Sequence, residues 1–224
     1  MLYVVSTPIG NLKDITFRAI EVLREVDFII CEDTRVTSIL LKHYEISKDL
    51  ISLNAFSERF KIEKLIYRLA GGEKGALVSD AGTPGISDPG ARLISASIKN
   101  GIEVSAVPGV SAVITALSIS GLPTDSFVYY GFLPIKKGRQ KKLQAIREET
   151  RTVVIYESVH RIEKLVKEFS ELFPERTIVV CRELTKKFEE IWRGKASDLF
   201  SSLNDKTIKG EFVVLIAPQD WTED

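Results

Sequence analysis

Cysteine is scarce in this chain, which holds only Cys31 and Cys181 among its 224 residues. The two lie far apart, each closes an apolar run, and neither has a partner at the spacing of a metal site. A disulfide framework and a cysteine-based metal centre are therefore not expected. We predict two buried, reduced thiols in a cytoplasmic protein that holds no metal ion.

The chain also lacks a charge excess of either sign. Its 31 basic side chains balance 31 acidic ones, so the formal net charge at pH 7 is zero. A typical nucleic-acid binder carries an excess of positive charge. Binding to RNA would therefore require a local basic patch.

A leader sequence and a membrane anchor are likewise not expected. Met1 leads directly into a strand-like run, without the basic and apolar regions of a signal peptide. Residues 104–124 carry no charge and are long enough to cross a bilayer, but Pro108, Gly109 and Gly121 interrupt them. This stretch predicts a strand, a tight turn and a fully buried helix, with no membrane contact.

Two glycine-containing segments lack the spacing of the common nucleotide-binding motifs. Residues 72–75 (GEKG) have neither the length of a phosphate-binding loop nor its Lys-Ser/Thr pair, and residues 82–85 (GTPG) do not form Gly-x-Gly-x-x-Gly. Binding of ATP or NAD in the usual manner therefore has little support.

Short β-branched runs alternate with amphipathic runs through the first half of the chain. This order predicts an α/β fold with a largely parallel sheet covered by helices, and a ligand beyond the carboxyl ends of the strands. Strands are predicted at residues 2–6, 27–31, 50–53, 76–79 and 104–107, and helices at residues 14–26, 34–44 and 57–70.

The composition changes at residues 121–125 (GLPTD), which predicts an N-terminal domain of residues 1–121 and a C-terminal domain of residues 122–224. Some neighbouring strands of the second half lack an intervening helix, so antiparallel pairs are expected there. The predicted strands are residues 127–132, 152–156, 178–181, 190–193 and 211–217, and the predicted helices are residues 140–149, 161–172 and 196–203.

Two loops rich in glycine and proline each follow a predicted buried strand. They are residues 6–12 (STPIGNL) and residues 79–90 (SDAGTPGISDPG). Such loops form sharp turns in which main-chain atoms can approach a ligand without interference from Cβ atoms. We expect a small-molecule site here, although the glycines could simply turn the chain.

Five segments of the chain together resemble the tetrapyrrole methylase superfamily, and more closely its branch that acts on ribosomal RNA. They are residues 3–12 (YVVSTPIGNL), 31–35 (CEDTR), 79–85 (SDAGTPG), 107–112 (VPGVSA) and 156–161 (YESVHR). The resemblance covers essentially the whole chain in the right order. It implies two αβα domains with S-adenosylmethionine in the cleft between them, in a homodimer.

The resemblance also implies that main-chain atoms of strand-end loops hold the methyl donor. Tyr156 would come from the second domain, and Phe212 belongs to a strand whose backbone would contact adenine. The residues that would line the donor are Pro8, Asp80, Ala81, Gly82, Ser111, Ala112, Tyr156 and Phe212.

The implied reaction is methylation of the ribose 2′-oxygen of a cytidine in the decoding region of 16S ribosomal RNA. Because the chain has little charge with which to capture bare RNA, the expected substrate is the assembled small ribosomal subunit. A ribose hydroxyl is a weak acid, so some group must accept its proton or stabilise the alkoxide. The candidates are Glu32, Asp33, Arg35 and His160. A carboxylate could take the proton while Arg35 binds a phosphate. Alternatively, Asp33 caps the following helix, and His160 is a capping or packing residue.

One basic segment, residues 136–142 (KKGRQKK), contains five cations in an otherwise neutral chain. It could bind RNA phosphates together with a cation that follows the strand at residues 152–156. Alternatively, it is a solvated helix start. The candidate RNA-binding residues are Lys136, Lys137, Arg139, Lys141, Lys142 and Arg161.

Further cations and one aromatic residue could extend this RNA surface. Trp192 could stack on a base, or it could belong to the core. The additional cations are Arg182, Lys186, Lys187 and Arg193.

Two other functions remain open at this point. A relative that methylates a carbon or nitrogen atom of a tetrapyrrole would share the donor loops, but it needs an apolar trough where this chain has a basic segment. A non-catalytic module of the same fold would bind the donor without transferring its methyl group.

Overall fold

The computed structural model describes residues 1–53 and 58–222, apart from the side chains of residues 58–60. The chain divides into two compact units, Met1–Ser111 (unit 1) and Ala112–Asp224 (unit 2). Among the described residues, no helix has the length and apolar character needed to span a membrane.

Unit 1 alternates strands with helices. Its elements are β1 (Leu2–Val5), α1 (Phe17–Glu25), β2 (Phe28–Cys31), α2 (Thr34–His43), β3 (Asp49–Ser52), α3 (Glu58–Ala70), β4 (Gly75–Leu77), α4 (Ala91–Lys99) and β5 (Val104–Val107). The sheet has the order β3-β2-β4-β1-β5, and every strand pair in it is parallel. The predicted parallel sheet is therefore confirmed.

The burial of strand β2 shows that helices cover both faces of the unit 1 sheet. All four of its residues are fully buried. Ile29 and Cys31 pack with residues of α1 and α2, whereas Phe28 and Ile30 pack with residues of α3 and α4. A strand buried on both faces reads as a continuous apolar run, which is the pattern of a covered parallel sheet.

The observed limits of the unit 1 elements differ from the predicted ones at several ends. Helix α1 begins later than predicted because Thr16 caps it, with the Thr16 hydroxyl accepting from the Ala19 N–H at 3.1 Å. Helix α4 was not predicted from the sequence. The predicted start of α3, Ser57, lies outside the described residues.

Unit 2 contains a mixed sheet. Its elements are α5 (Ala112–Ser120), β6 (Phe127–Phe132), α6 (Arg139–Arg147), β7 (Thr152–Ser158), α7 (Ile162–Leu172), β8 (Thr177–Arg182), β9 (Glu190–Lys195), α8 (Ala196–Ser201) and β10 (Glu211–Ile216). The sheet order is β6-β7-β10-β8-β9. Strands β6 and β7 are parallel and the other neighbours are antiparallel, as predicted.

Helix α5 belongs to unit 2 because it packs against β10, so the units divide before the predicted boundary at residues 121–125. The predicted strand, turn and helix within residues 104–124 are present as β5 and α5. A fully buried helix was predicted here. That prediction is wrong, since Ile114 of α5 is 55% exposed.

Candidate functional site

The carboxyl ends of β1, β2, β4 and β5 lie at one edge of the unit 1 sheet, because these strands are parallel neighbours. Both glycine- and proline-rich loops begin at this edge. It is the position at which parallel α/β sheets bind their ligands.

An isolated antiparallel bridge joins the loops that follow β1 and β4. The Thr7 N–H donates to the Gly82 carbonyl at 2.9 Å, and the Gly82 N–H donates to the Thr7 carbonyl at 3.0 Å. The Thr7 hydroxyl donates to the Ser79 carbonyl at 3.0 Å. The two loops are thus one rigid main-chain structure, with Gly82 in the left-handed region at φ +81°.

The loop after β5 is joined to the same structure. The Thr83 hydroxyl lies 2.9 Å from the Ser6 hydroxyl and donates to the Val110 carbonyl at 3.2 Å. A Cβ atom at Gly109 would lie 2.9 Å from the Ser6 Cβ atom, which is too close for any side chain. Glycine at 109 is therefore required for the close approach of these two loops.

A small pocket of about 110 Å³ opens beside these loops, against helix α2. It brings together the predicted donor residues Pro8 and Asp80, and most of its wall is apolar. The lining residues are Thr7, Pro8, Leu12, Val36, Thr37, Ile39, Leu40, Ser79 and Asp80. Of the other predicted residues in these loops, Gly82 is buried, Ala81 is exposed and Ser111 is half-buried.

Four carboxylates surround this edge of the sheet. Asp80 accepts from the Asp33 N–H at 3.1 Å, which connects the loop after β4 to the residues that follow β2. Burial, reinforced by the neighbouring carboxylates, raises the pKa of Glu32 and of Asp80, and it raises the pKa of Asp88 to about 6. The negative charges repel one another, so this edge favours a cationic ligand.

Asp33 and Arg35 have a structural role that the sequence left open. Asp33 is the N-cap of α2 and accepts from the Arg35 N–H at 2.8 Å, while the Arg35 guanidinium pairs with the same carboxylate at 2.5 Å. Hydrogen bonds from Arg35 lower the pKa of Asp33 to about 2. A carboxylate with that pKa is a poor proton acceptor. Of the two alternatives the contacts favour the helix cap, and a catalytic role for Asp33 stays a prediction.

Tyr156 and Phe212 lie in unit 2 in different environments. Tyr156 is half-buried, and its ring forms edge contacts with Tyr129 and Phe132 at centroid distances of 5.2 and 5.8 Å. Phe212 is 2% exposed within the core, and its strand is paired on both sides. The buried ring of Phe212 is not available to a ligand, and the predicted main-chain contact of its strand with adenine stays a prediction. Ala112, half-buried, starts α5.

His160 and Arg161 follow β7 and differ in their availability. His160 is exposed in the turn before α7. The Arg161 guanidinium pairs with the buried Glu157 carboxylate at 2.7 Å and donates to the Leu133 carbonyl at 3.1 Å. Arg161 therefore stabilises the fold, and its contact with RNA phosphate stays a prediction.

The basic segment separates into exposed and structural cations. Lys136, Lys137 and Lys141 are exposed. The Lys142 ammonium lies 4.1 Å from the centroid of the Tyr130 ring. Arg139 is 4% exposed and forms a bidentate pair with Glu168, at 2.6 Å for the closest atoms. Its charge is thus neutralised inside the unit, which favours a structural role, and the RNA contact of Arg139 stays a prediction.

The cations suggested as an extension of this surface are mostly occupied. Arg182 is buried and donates to the carbonyls of Thr207 and Phe188. Arg193 donates to the Ile119 carbonyl at 2.5 Å. Lys187 is exposed, whereas Trp192 is 6% exposed and belongs to the core.

The exposed lysines of the basic segment share one edge of the unit 2 sheet with Lys187. Strand β7 runs parallel to β6, and it also runs in the direction of β8 because both are antiparallel to β10. The segments after β6, β7 and β8 therefore leave the sheet at the same edge. These segments carry the basic segment, His160 and Lys187 respectively.

Sequence reasoning missed Asp88 as a member of the carboxylate group in unit 1. Its position in a Gly/Pro-rich loop after a buried strand was the available signal.

Both cysteines are free and buried. Burial raises the pKa of the Cys31 thiol and raises the pKa of the Cys181 thiol to about 12. Across residues 1–53 and 58–222, no cluster of His, Cys, Asp and Glu has the arrangement of a metal site.

Several known proteins are similar to this chain in sequence. A family model described as tetrapyrrole (corrin/porphyrin) methylases matches residues 1–199. The ribosomal RNA small subunit methyltransferase I of Thermotoga maritima is 42% identical, over 98% of this chain and 99% of that protein. The protein of the same name from Hydrogenobaculum sp. is 47% identical, over 98% of this chain and 96% of that protein.

Solved structures share the fold at much lower identity. A cobalt precorrin-4 methyltransferase aligns with a TM-score of 0.72 at 18% identity, over 96% of this chain and 94% of that one. A diphthine synthase aligns with a TM-score of 0.75 at 14% identity, over 96% and 89%. The match to residues 1–199, together with relatives at 42% and 47% identity along nearly their whole length, shows that the chain belongs to the tetrapyrrole methylase family.

Proposed function

We propose that this protein uses S-adenosylmethionine to methylate small-subunit ribosomal RNA, at the ribose 2′-oxygen of a cytidine in the decoding region. The proposal rests on the sequence identity of 42% and 47%, over 98% of this chain, to two proteins named ribosomal RNA small subunit methyltransferase I. Two features of the separate units support it. Carboxylates at the sheet edge of unit 1 suit a cationic donor, and exposed lysines at the sheet edge of unit 2 suit RNA phosphates.

The unit 1 edge suits a donor that carries a sulfonium and an ammonium group. Its carboxylates would attract both cations. Burial, and after it repulsion between the neighbouring carboxylates, raises the pKa values of Glu32, Asp80 and Asp88, and a bound cation would relieve that repulsion. The apolar wall formed by Pro8 and its neighbours suits the aliphatic part of the donor. Bound S-adenosylmethionine supplies the methyl group as an electrophile.

The joined loops supply preorganised main-chain contacts. The Thr7–Gly82 bridge and the close packing of Gly109 on Ser6 fix the crevice before any ligand arrives. Binding there avoids the entropy cost of ordering a loop, and it fixes the position of the transferred group. In this proposal Pro8, Asp80, Ala81, Gly82 and neighbouring Ser111 hold the donor.

Proton removal from the ribose hydroxyl falls to a group that retains basicity near neutral pH. Glu32 and Asp88 have raised pKa values, which makes them better acceptors than an ordinary carboxylate. His160 is a further candidate because its side chain is exposed in the turn before α7. Asp33 is left out because Arg35 holds its charge.

RNA binding in this proposal uses the exposed lysines of unit 2. Lys136, Lys137 and Lys141 present positive charge at one sheet edge of a chain with no net charge. Each phosphate contact releases counterions, so affinity falls with salt. A patch this small favours a structured target, which is why we propose the small ribosomal subunit as the substrate particle.

The test is methyl transfer from labelled S-adenosylmethionine to three acceptors: small subunits that lack the modification, free 16S ribosomal RNA and a uroporphyrinogen. The proposal predicts label in RNA, with subunits preferred over free RNA. Label in the tetrapyrrole alone would contradict it. Donor binding without transfer to any acceptor would instead identify a non-catalytic module.

We further propose that the protein acts as a homodimer in the cytoplasm. Exposed apolar side chains on the face of unit 1 that carries α1 and α2, including Phe17 at 87% and Ile39 at 65% exposure, offer surface for self-association. The molar mass in solution, measured by light scattering coupled to size-exclusion chromatography, tests the dimer. We expect twice the chain mass of 25.1 kDa. Cell fractionation tests the compartment.

A further inference from the structure

The connection between β8 and β9, residues 183–189, holds an exposed aromatic side chain next to an exposed cation. Phe188 is 64% exposed, and the Lys187 ammonium lies 5.4 Å from the centroid of its ring. We call residues 183–189 the ELTKKFE loop. Trp192, which follows it in β9, is buried and unavailable to a partner.

The ELTKKFE loop has an unusual backbone. Glu183 and Thr185 have φ values of +52° and +65°. These values lie in the left-handed region, which is costly for a β-branched residue such as Thr185. Strain of this kind persists only where surrounding contacts maintain it, and it often marks a binding segment.

Those contacts hold the base of the loop. The Lys186 ammonium lies 2.8 Å from both the Glu183 and the Glu211 carboxylates. The Glu183 side chain also accepts from the Glu211 N–H at 3.0 Å. Gly210 makes room for it, because a Cβ atom there would collide with the Glu183 side chain.

Further contacts fix the tip. The Arg182 guanidinium donates to the Phe188 carbonyl at 2.6 Å, and the Thr185 N–H donates to the Glu189 carboxylate at 2.6 Å. The buried Leu184 anchors the loop. The fold therefore holds Phe188 outward in a fixed backbone, although burial of that ring would be favourable.

The loop lies at the same sheet edge as the basic segment. Strands β6 and β8 are separated by β7 and β10, so their ends are about 14 Å apart at the usual strand spacing. A short single-stranded segment of RNA can span this distance. The lysines at one end and the aromatic ring at the other would contact the same strand.

We propose that Phe188 stacks on an unpaired base of the RNA substrate while Lys187 binds an adjacent phosphate. The inference deepens the proposed function and rests on it for the nature of the substrate. Aromatic rings recognise unpaired bases in single-stranded RNA by stacking, and a neighbouring cation binds the backbone.

The test compares Phe188→Ala and Phe188→Trp with the full-length wild-type protein. The probe is a fluorescent single-stranded oligoribonucleotide, and binding is followed by anisotropy. Loss of stacking predicts a Kd about 5- to 100-fold higher for Phe188→Ala, with binding restored in Phe188→Trp. Phe127→Ala is the control, since Phe127 is 37% exposed and starts β6 at the opposite edge of the sheet.

Lys187→Ala separates the two roles in the same assay. For Lys187→Ala we expect the slope of log Kd against log salt concentration to be shallower by about 0.7. For Phe188→Ala we expect that slope to be unchanged. Unchanged RNA affinity in Phe188→Ala would overturn the inference, and so would a variant whose only defect is in self-association. Methyl transfer by the wild-type protein is scored separately, so failure of the proposed function is distinguishable from failure of the inference.

Discussion

Thr7 and Gly82 exchange two main-chain hydrogen bonds, at 2.9 and 3.0 Å, across residues that are far apart in sequence. This bridge makes the loops after β1 and β4 one structure. The proposed donor site therefore depends on backbone geometry, which substitutions at glycine disturb most directly.

Substituting Gly82 tests this dependence. Gly82→Ala places a Cβ atom in the left-handed region, 3.4 Å from the Ile9 side chain. We expect a loss of about 1 kcal/mol in stability and about tenfold weaker binding of S-adenosylmethionine, measured by calorimetry.

Gly72→Ala is the matched control for that experiment. Gly72 has φ +98° and nothing within 4 Å of a built Cβ atom, and it lies in the turn after α3. It should lose similar stability and keep full donor affinity. Equal donor affinity in both variants would show that the loop backbone does not hold the donor.

Asp33 provides a test of capping against catalysis. Asp33→Asn keeps an oxygen that accepts from the Arg35 N–H, so helix α2 retains its cap. We expect Asp33→Asn to retain most of the methyl-transfer rate, and Asp33→Ala to lower Tm by a few degrees. A large fall in kcat for Asp33→Asn, without a change in Tm, would restore Asp33 as a catalytic group.

Asp88 should make stability depend on pH. Its pKa is raised from the ordinary 3.8 to about 6, first by burial and then by Glu32 and Asp80. Between about pH 4 and pH 6 the folded carboxyl keeps a proton that the unfolded chain releases, so stability falls as pH rises through this window.

Asp88→Asn removes that titration. Compared with wild type, the variant should gain about 1 kcal/mol above pH 6, after allowance for partial exposure, or about 2–4 °C in Tm. The gain should vanish near pH 4. Thermal melts at pH 4, 5, 6 and 7.5 measure it, and a gain that is constant with pH would refute the assignment.

Arg139 and Lys141 are neighbours with opposite expected behaviour. Arg139→Ala leaves the Glu168 carboxylate buried without its partner, at a cost of about 3 kcal/mol or about 6–12 °C in Tm. Lys141→Ala should leave Tm unchanged and weaken RNA binding at low salt. Equal RNA defects in two stable variants would return Arg139 to the RNA surface.

The sequence predicted those features that depend on neighbouring residues. The continuous apolar run of β2 predicted a strand in a covered sheet, and the spacing of Asp33 and Arg35 was compatible with the helix cap that is observed. Helix α4 was missed because it follows a loop dense in glycine and proline and buries only Leu93 and Ser97.

Features that depend on distant partners could not be predicted. Arg139 and Lys141 look alike in sequence, and only Glu168, 29 positions from Arg139, determines which charge is buried. Likewise, the pKa of Asp88 is raised first by burial and then by Glu32 and Asp80, and only the fold brings Glu32, which follows a different strand, close to it. Tyr156, Ala81 and Ser111 stay predictions as donor contacts.

The most direct measurement of the central claim is the position of the methyl group in the product. Small subunits that lack the modification are incubated with this protein and S-adenosylmethionine, and their RNA is hydrolysed with alkali and analysed by mass spectrometry. A methyl group on a ribose 2′-oxygen protects the next phosphodiester bond, so we predict an alkali-resistant dinucleotide that begins with a methylated cytidine. Complete hydrolysis to mononucleotides, or a methyl group found only on a base, would contradict the account.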